Sequence, residues 1–512
     1  MYPGIHAAVD PAKPAAIIVD TDQVLTYGDL EERSVRLANA LREAGVRRGD
    51  VVALLSTNNV EVFVVYWACL RAGLYLTSLN YHLTPAEAAY ILADCGASVL
   101  IASPDLGALA LQAAETAPDL RLRLAYGAGS PGLDAYADFL AGASPLRSDD
   151  EPRGADMLYS SGTTGRPKGI KPALPERQVG DDGDPYVTVF GAAYAMSADT
   201  VYFSPAPLYH AAPLRFGMIV HSLGGTVLST SKFDAEQSLA VISGYGVTHS
   251  QWVPTHFVRM LRLPGAVRSH YDVSSQTHVI HAAAPCPVEV KKQMMAWFGP
   301  ILHEYYSSTE ANGVTMIGPD EWLAKPGSVG RATLGILHIC DDDGRELAAN
   351  ETGLVYFERD TMPFVYHGDQ EKTDDARHPD HPTWSTCGDV GFVDADDYLF
   401  LRDRKAFTII SGGVNIYPQE IENALALHPD VFDVAVIGVP DAEYGEIVAA
   451  MIQLQTGVVA DADVADRIKS YLREHIAGYK VPRRIEFVDS LPRTVTGKLV
   501  KGVLRDRLTR TG

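Results

Sequence analysis

The run "LYSSGTTGRPKGI", Leu158 to Ile170, concentrates residue types that hold anions. Gly162, Gly165 and Gly169 let backbone N–H groups come close to a phosphate, and Ser160, Ser161, Thr163 and Thr164 add hydroxyl donors. Arg166 and Lys168 bring positive charge, while Pro167 stiffens the turn. A Walker loop needs G-x-x-x-x-G-K-[ST], whereas here Gly169 is followed by Ile170, so this is not a Walker loop; it is either a phosphate cradle of another kind or a polar turn. An ordinary polar hairpin turn seldom carries so many donors together with two cations. A second glycine run, "GAGSPG" at residues 127 to 132, satisfies the G-x-G-x-x-G dinucleotide pattern. Pro131 interrupts it, and no strand ending in an acidic residue follows at the right distance, so it reads as a surface turn.

Such loops must be positioned by a scaffold, and its first elements are legible. "AAIIVD" and "VLTY" predict short strands, and "YGDLEERSVRLANALREAG" sets Leu30, Leu37, Ala38 and Leu41 on one helical stripe ending at Gly45. "VVALLS" reads as a buried strand, followed by a helix from about Val60 to Gly73. This alternation predicts an α/β class: a large N-terminal domain of several subdomains with mixed and parallel sheets, plus a small α+β C-terminal domain. "KPALPERQVGDDGDPY", rich in proline, glycine and aspartate, predicts a loop or lid. Near "YLFLRDRKAFTIISGGVNIYP" a strand meets an abrupt turn, and the following segment has helix–strand–strand character. The predicted boundary falls at Arg404, giving domains 1–403 and 404–512.

Composition narrows the class. The chain is 46% hydrophobic and 21% charged over 512 residues, which supplies ample core. Its net charge of −21 argues against nucleic acid as a partner. The five cysteines stand far apart with no CxxC pair, which favours a reducing compartment over a disulfide framework or zinc site. The N-terminus shows no basic segment followed by an apolar one, and "VEVFVVYWACLRAGLYL" is short and contains Arg71. A cytoplasmic location without a transmembrane segment is expected. From Arg467 onward twelve Lys or Arg face only Glu474, Glu486, Asp489 and Asp506. This stretch is either a solvated helical face or a basic cap over small anionic ligands.

Other runs give the phosphate loop its context. "YSSGTTGRPKGI", "YYSSTE" (Tyr305 to Glu310), "STCGDVG" (Ser385 to Gly391), "DRKAFTIISGGVNIYPQEIE" (Asp403 to Glu422) and "LPRTVTGKL" (Leu491 to Leu499) occur in this order. Their order resembles that of the adenylate-forming (AMP-binding) superfamily, which includes acyl- and aryl-CoA synthetases, luciferases and nonribosomal adenylation domains. The resemblance spans essentially the whole chain.

The resemblance implies a set of roles. Ser160, Ser161, Gly162, Thr163, Thr164, Gly165 and Lys168 would hold the β- and γ-phosphates of ATP. Glu310, with Thr163, would associate with Mg²⁺, and Thr309 would donate to the α-phosphate. Asp389 would accept both ribose hydroxyls, with Arg404 also touching the ribose. Ala283, Ala284 and Pro285 would border the adenine, with Tyr305 and Tyr306 in the same motif and Tyr306 as the stacking ring. Lys498 would bridge substrate carboxylate and AMP phosphate from a C-terminal domain that moves. Ser411, Gly412 and Gly413 would line the CoA arm, and His210 would lie near the acyl carboxylate. Three positions depart from the pattern: Ser307 and Ala282 stand where glycine is common, and Ala406 where Asp or Lys is usual.

The implied activity is ATP-dependent acyl-CoA synthesis through acyl-AMP, with Mg²⁺, ATP and CoA. The alternatives are loading of a carrier protein, a luciferase-like oxygenase and, from "GAGSPG" alone, a nicotinamide oxidoreductase. The acidic residue with which amino-acid-activating members of the superfamily pair a substrate amine is not apparent, since "PLYHAAPL" offers only His210 and apolar residues, and Asp234 reads as a helix N-cap. A hydrophobic acid without an amine is therefore expected: fatty, alicyclic or aryl. Phe216, Trp252 and Phe257 are candidates to line its site, and a homodimer stays open.

Overall fold

The computed structural model describes residues 1–160, 167–441, 443–493 and 499–510. Two parallel-cored sheets carry the larger part of the chain. The first has six strands in the order Asp134–Ala135, Leu122–Ala125, Ala97–Ala102, Val51–Leu55, Tyr75–Leu79 and Ala155–Asp156, all parallel. Val51–Leu55 and Ala97–Ala102 are buried at every residue, as continuous apolar strands covered on both faces must be. The second has nine strands. His278–His281, His249–Trp252, Val201–Phe203 and Thr226–Ser229 run parallel at its centre between Leu302–Ser307 and Pro14–Ile18, and antiparallel strands close both edges.

The helix Tyr27–Glu43 begins where Thr26 accepts from Asp29 N–H in a reciprocal capping box, and Gly45 just beyond its end takes φ +82°. Asp234 caps helix Ala235–Tyr245 by accepting from Gln237 N–H, the role its sequence position indicates. The apolar run near Val60 is the wholly buried helix Glu61–Ala72. Its Arg71 is fully enclosed and pairs with Glu31 at 2.6 Å and Glu151 at 3.3 Å. Among the described residues no helix is long and apolar enough to cross a membrane.

The phosphate-loop flanks Leu158–Ser160 and Lys168–Lys171 pair antiparallel, Ser160 opposite Lys168. They therefore form the two arms of a hairpin, and Val365–Tyr366 adds a third strand to it. The proline- and aspartate-rich segment that follows is a loop fastened to the chain before the hairpin. Arg153 N–H bonds Arg177 C=O at 2.8 Å, Val179 N–H bonds Glu151 C=O at 2.8 Å, and Asp184 pairs with Arg153 and Arg177. "GAGSPG" is a turn after Leu122–Ala125, with Gly127, Gly129 and Gly132 at positive φ. Beyond it Asp134–Ala135 extend the sheet before the helix Tyr136–Ala141.

An antiparallel sheet of Ile336–Cys340, Gly353–Glu358, Asp389–Val393 and Leu399–Arg404 precedes a separate C-terminal unit. There the long strands Val431–Asp441 and Gly445–Leu454 pair antiparallel, with helices Pro418–Leu425, Ala462–His475 and Lys501–Arg510. The α/β reading, with mixed and parallel sheets and a distinct α+β unit at the C-terminus, matches this architecture.

Removing one partner of a buried ion pair strands the other charge in a dry interior. Arg71→Ala should therefore destabilise the protein by about 3–5 kcal/mol, read as a lowered urea midpoint of the first unfolding transition.

Candidate active site

Strand alternation decides how the "YYSSTE" residues are used, because consecutive side chains leave opposite faces. Tyr306, on strand Leu302–Ser307, donates its hydroxyl to Asp389 Oδ2 at 2.6 Å. Burial, then the Asp389 carboxylate, hold its phenol well above the usual range, so it stays a neutral donor. Asp389 and Arg404 face each other across adjacent antiparallel strands, and Arg404 Nε donates to Asp389 Oδ1 at 3.1 Å. Each carboxylate oxygen thus has one protein donor and keeps lone-pair capacity for a second.

Tyr305 points the other way. Its hydroxyl accepts from Gln251 Nε2 at 3.2 Å, and its ring stacks on Phe216 at 5.8 Å and packs edge-on to Phe190. Its grouping with Tyr306 at the nucleotide is corrected accordingly. Phe216 lies in this ring cluster, together with Tyr194 and Tyr202. Trp252 and Phe257 do not; they are enclosed in a separate core beside Phe203 and Met294 and are packing residues.

Glu310 receives the Tyr366 hydroxyl on Oε1 at 2.9 Å. Tyr366 belongs to the strand that pairs with Lys168–Lys171, and the Lys168 ammonium sits over its ring at 5.1 Å. Burial, then the nearby Lys372 ammonium, lower the Lys168 pKa. Two crowded cations at the foot of a glycine-rich hairpin form an environment that an anion would relieve. The sequence reading missed Tyr366 and Lys372, since neither sits in a spaced motif. Tyr366 meets Lys168 through strand pairing, and Lys372 lies on the helix Gln370–Asp375 just beyond that strand. The two halves of the site meet where Cys387 Sγ donates to Ser308 Oγ at 3.4 Å. Burial, then Glu310 and Asp389, keep that thiol protonated.

The strand His278–His281 ends in the turn of Ala282 to Pro285, where Ala283 adopts φ +74° and Ala283 and Ala284 are exposed. A non-glycine residue in this region is strained, a feature that clusters at ligand sites. Beneath it the buried Lys291 pairs with Glu304 at 2.7 Å, and burial, then Lys291, keep His281 neutral. His210 is the N-cap residue of helix Ala211–Leu223, its ring against Tyr209 at 4.3 Å.

Ser411, Gly412 and Gly413 form the tip of a hairpin between Ile409–Ser411 and Val414–Ile416, with φ +58° and +81° at the glycines. Such a turn requires glycine on its own account. Ser161, Gly162, Thr163, Thr164, Gly165, Arg166 and Lys498 lie outside the described residues, and Ser160 is described only as strand backbone. Half of the twelve C-terminal cations have carboxylate partners in the fold. Arg467, Lys480, Arg484, Arg493, Lys501 and Arg505 pair with Asp430, Glu420, Glu486, Asp433, Glu422 and Glu446. All but one of these partners precede Arg467, where a count starting at that residue cannot see them.

The family model for AMP-binding enzymes matches residues 5–366, and that for the AMP-binding enzyme C-terminal domain matches residues 420–498. The chain belongs to this family of adenylate-forming enzymes. Feruloyl-CoA synthase of Amycolatopsis sp is 35% identical over 489 residues, covering 94% of both chains. Long-chain-fatty-acid–CoA ligase FadD13 of Mycobacterium tuberculosis (strain ATCC 25618 / H37Rv) is 30% identical over 522 residues, covering 99% of this chain and 97% of the relative. The crystal structure of the anthranilate CoA ligase AuaEII in complex with anthranoyl-AMP matches with a TM-score of 0.85 at 25% identity, covering 99% of this chain and 96% of that one. Within the family the chain is an AMP-forming acid–thiol ligase.

Tyr366→Phe removes a hydrogen bond to a charged carboxylate, about 1.5 kcal/mol. It should lower kcat/KM for ATP about tenfold in acid-dependent pyrophosphate exchange, with the melting temperature little changed.

Proposed function

We propose that this chain is an ATP-dependent acyl-CoA synthetase that activates a hydrophobic carboxylic acid as acyl-AMP and transfers it to CoA. One adjacency supports this reading most. The Asp389–Tyr306–Arg404 group and the Glu310–Tyr366–Lys168 group meet through Ser308 and Cys387. The first suits a ribose diol, the second a polyphosphate.

In the first half-reaction a carboxylate oxygen of the acid attacks the α-phosphorus of ATP, and the bond to pyrophosphate breaks. Asp389 orients the ribose, Thr309 donates to the α-phosphate, and Lys168 and Lys372 offset charge on the leaving pyrophosphate. Lys498 stabilises the attacking carboxylate and the phosphate together. Glu310 suits a divalent cation, since Oε2 remains beside the oxygen taken by Tyr366. Among the described residues no three His, Cys, Asp or Glu side chains converge on a metal site. A single carboxylate sharing a cation with substrate phosphates is the arrangement Mg²⁺ favours. When bound, Mg²⁺ would neutralise charge on the phosphate oxygens.

In the second half-reaction the unit beyond Arg404 swings about Arg404 to Ala406, withdrawing Lys498 and bringing Ser411 to Gly413 to the acyl-adenylate. The CoA thiol, losing its proton, attacks the acyl carbonyl, and AMP departs as the thioester forms. A hydrophobic acid is supported by "PLYHAAPL", which offers no carboxylate for a substrate amine, while Phe190, Phe216 and Tyr305, on the face of the sheet opposite Tyr306, are packed core.

Lys498→Ala should depress acyl-AMP formation about 10²-fold or more while thioester formation from supplied acyl-AMP is largely spared; equal loss in both would overturn the swing. A panel of fatty, alicyclic and aryl acids, assayed for pyrophosphate release with and without CoA, should give AMP release that depends on CoA. Pyrophosphate release without CoA-dependent AMP release would replace CoA by a carrier protein as acceptor.

A further inference from the structure

The turn from Ser308 to Asn312 carries Thr309 and Glu310, and its backbone is not relaxed. Ala311 sits at φ +53°, a left-handed conformation that a residue with a Cβ adopts at a cost. Such a turn keeps its shape only if its surroundings hold it. Part of that support is local. Ser308 Oγ donates to Asn312 Oδ1 at 3.0 Å, Ser307 Oγ donates to Gly313 C=O at 2.8 Å, and Asn312 Nδ2 donates to Ser385 C=O at 3.2 Å.

The remainder comes from two arginines distant in sequence. Arg215, on helix Ala211–Leu223, reaches the Thr309 carbonyl from Nη1 at 3.5 Å and Nη2 at 3.4 Å. Arg359 Nη1 reaches the carbonyls of Ala311 at 3.3 Å and Asn312 at 3.5 Å. These contacts are long, as catalytic hydrogen bonds commonly are before substrate draws a site together.

Arg215 is itself fixed before it meets the turn. Its Nε and Nη2 donate to Asp156 Oδ2 at 3.1 and 2.7 Å, its guanidinium lies over the Tyr186 ring at 5.1 Å, and Asp156 Oδ1 takes the Tyr66 hydroxyl at 3.1 Å. One planar group therefore spans a carboxylate on strand Ala155–Asp156 and a carbonyl beside Glu310. A lysine could serve one of these partners but has no fork to serve both.

We propose that Arg215 and Arg359 are positioning residues for adenylation, clasping the carbonyls of Thr309, Ala311 and Asn312 so that Thr309 and Glu310 face Mg·ATP. The proposal rests on the reading that these two residues serve the first half-reaction. It separates Arg215 from a residue that merely fastens a helix to a sheet, because its effect should fall on one half-reaction. The Asp156 pairing also leaves Arg215 engaged, so its function toward the acid is indirect.

Arg215→Lys keeps the charge beside Asp156 and gives up the span. It should lower kcat for acid-dependent pyrophosphate exchange about tenfold and raise the Mg²⁺ concentration at half-maximal rate. KM for the acid, the melting temperature and thioester formation from supplied acyl-AMP should stay within twofold or a degree or so. Arg359→Gln, which leaves the Asp156 pairing untouched, should give the same signature more weakly and stands in if Arg215→Lys fails to fold. Unchanged exchange kinetics in a folded Arg215→Lys, or equal losses in both half-reactions, would overturn the clasp. Glu310→Gln run in parallel separates the two layers. A shifted Mg²⁺ profile there with none in the arginine variants removes the clasp alone, and no shift in any of them removes the function of the turn as well.

Discussion

The carboxylate of Asp389 is the point on which the site depends. It takes one hydrogen bond from a tyrosine on the nine-stranded sheet and one from an arginine on its own sheet's neighbouring strand. Three distant segments of chain thereby hold a fixed geometry through a single acceptor. Because Tyr306 stays protonated and Arg404 stays charged, both donors are permanent near neutrality, and the carboxylate is pulled in two defined directions. Arg404 is also the last residue of its strand.

The charge pattern follows the same economy. Cations with a structural task are each given a carboxylate: Arg71 between Glu31 and Glu151, Arg215 on Asp156, and the C-terminal series on Asp430, Glu420 and their neighbours. Lys168 is different, since burial and then the Lys372 ammonium outweigh the Asp369 and Glu310 carboxylates that also act on it. Surface pairs contribute little to stability, so pairing of the C-terminal cations speaks to charge balance more than to strength.

What the sequence made legible was whatever depends on local spacing. The helical stripe of Leu30 to Leu41, the Asp234 cap, the buried strand near Val51 and the ordered runs around Glu310, Asp389 and Arg404 are of this kind. What stayed hidden depends on which strand meets which. Tyr366 reaches Glu310 only because its strand pairs beside Lys168, and Arg359 reaches Ala311 only across two sheets. Tyr305 was misassigned because adjacency in a motif was given more weight than alternation along a strand. Trp252 and Phe257 were apolar in the right region, but only packing separates a pocket wall from a core.

The three-stranded hairpin has a consequence for how the protein comes off the ribosome. The six-stranded sheet draws on residues 51 to 156 and can close as soon as that stretch emerges. The anion loop's outer strand is supplied by Tyr366 and the acceptor for Tyr306 by Asp389, both made much later. Non-local pairing of this kind is slow and must wait for its partner. The pairing of Lys168–Lys171 with Val365–Tyr366, and the bond from Tyr306 to Asp389, therefore form only after those later segments have been made.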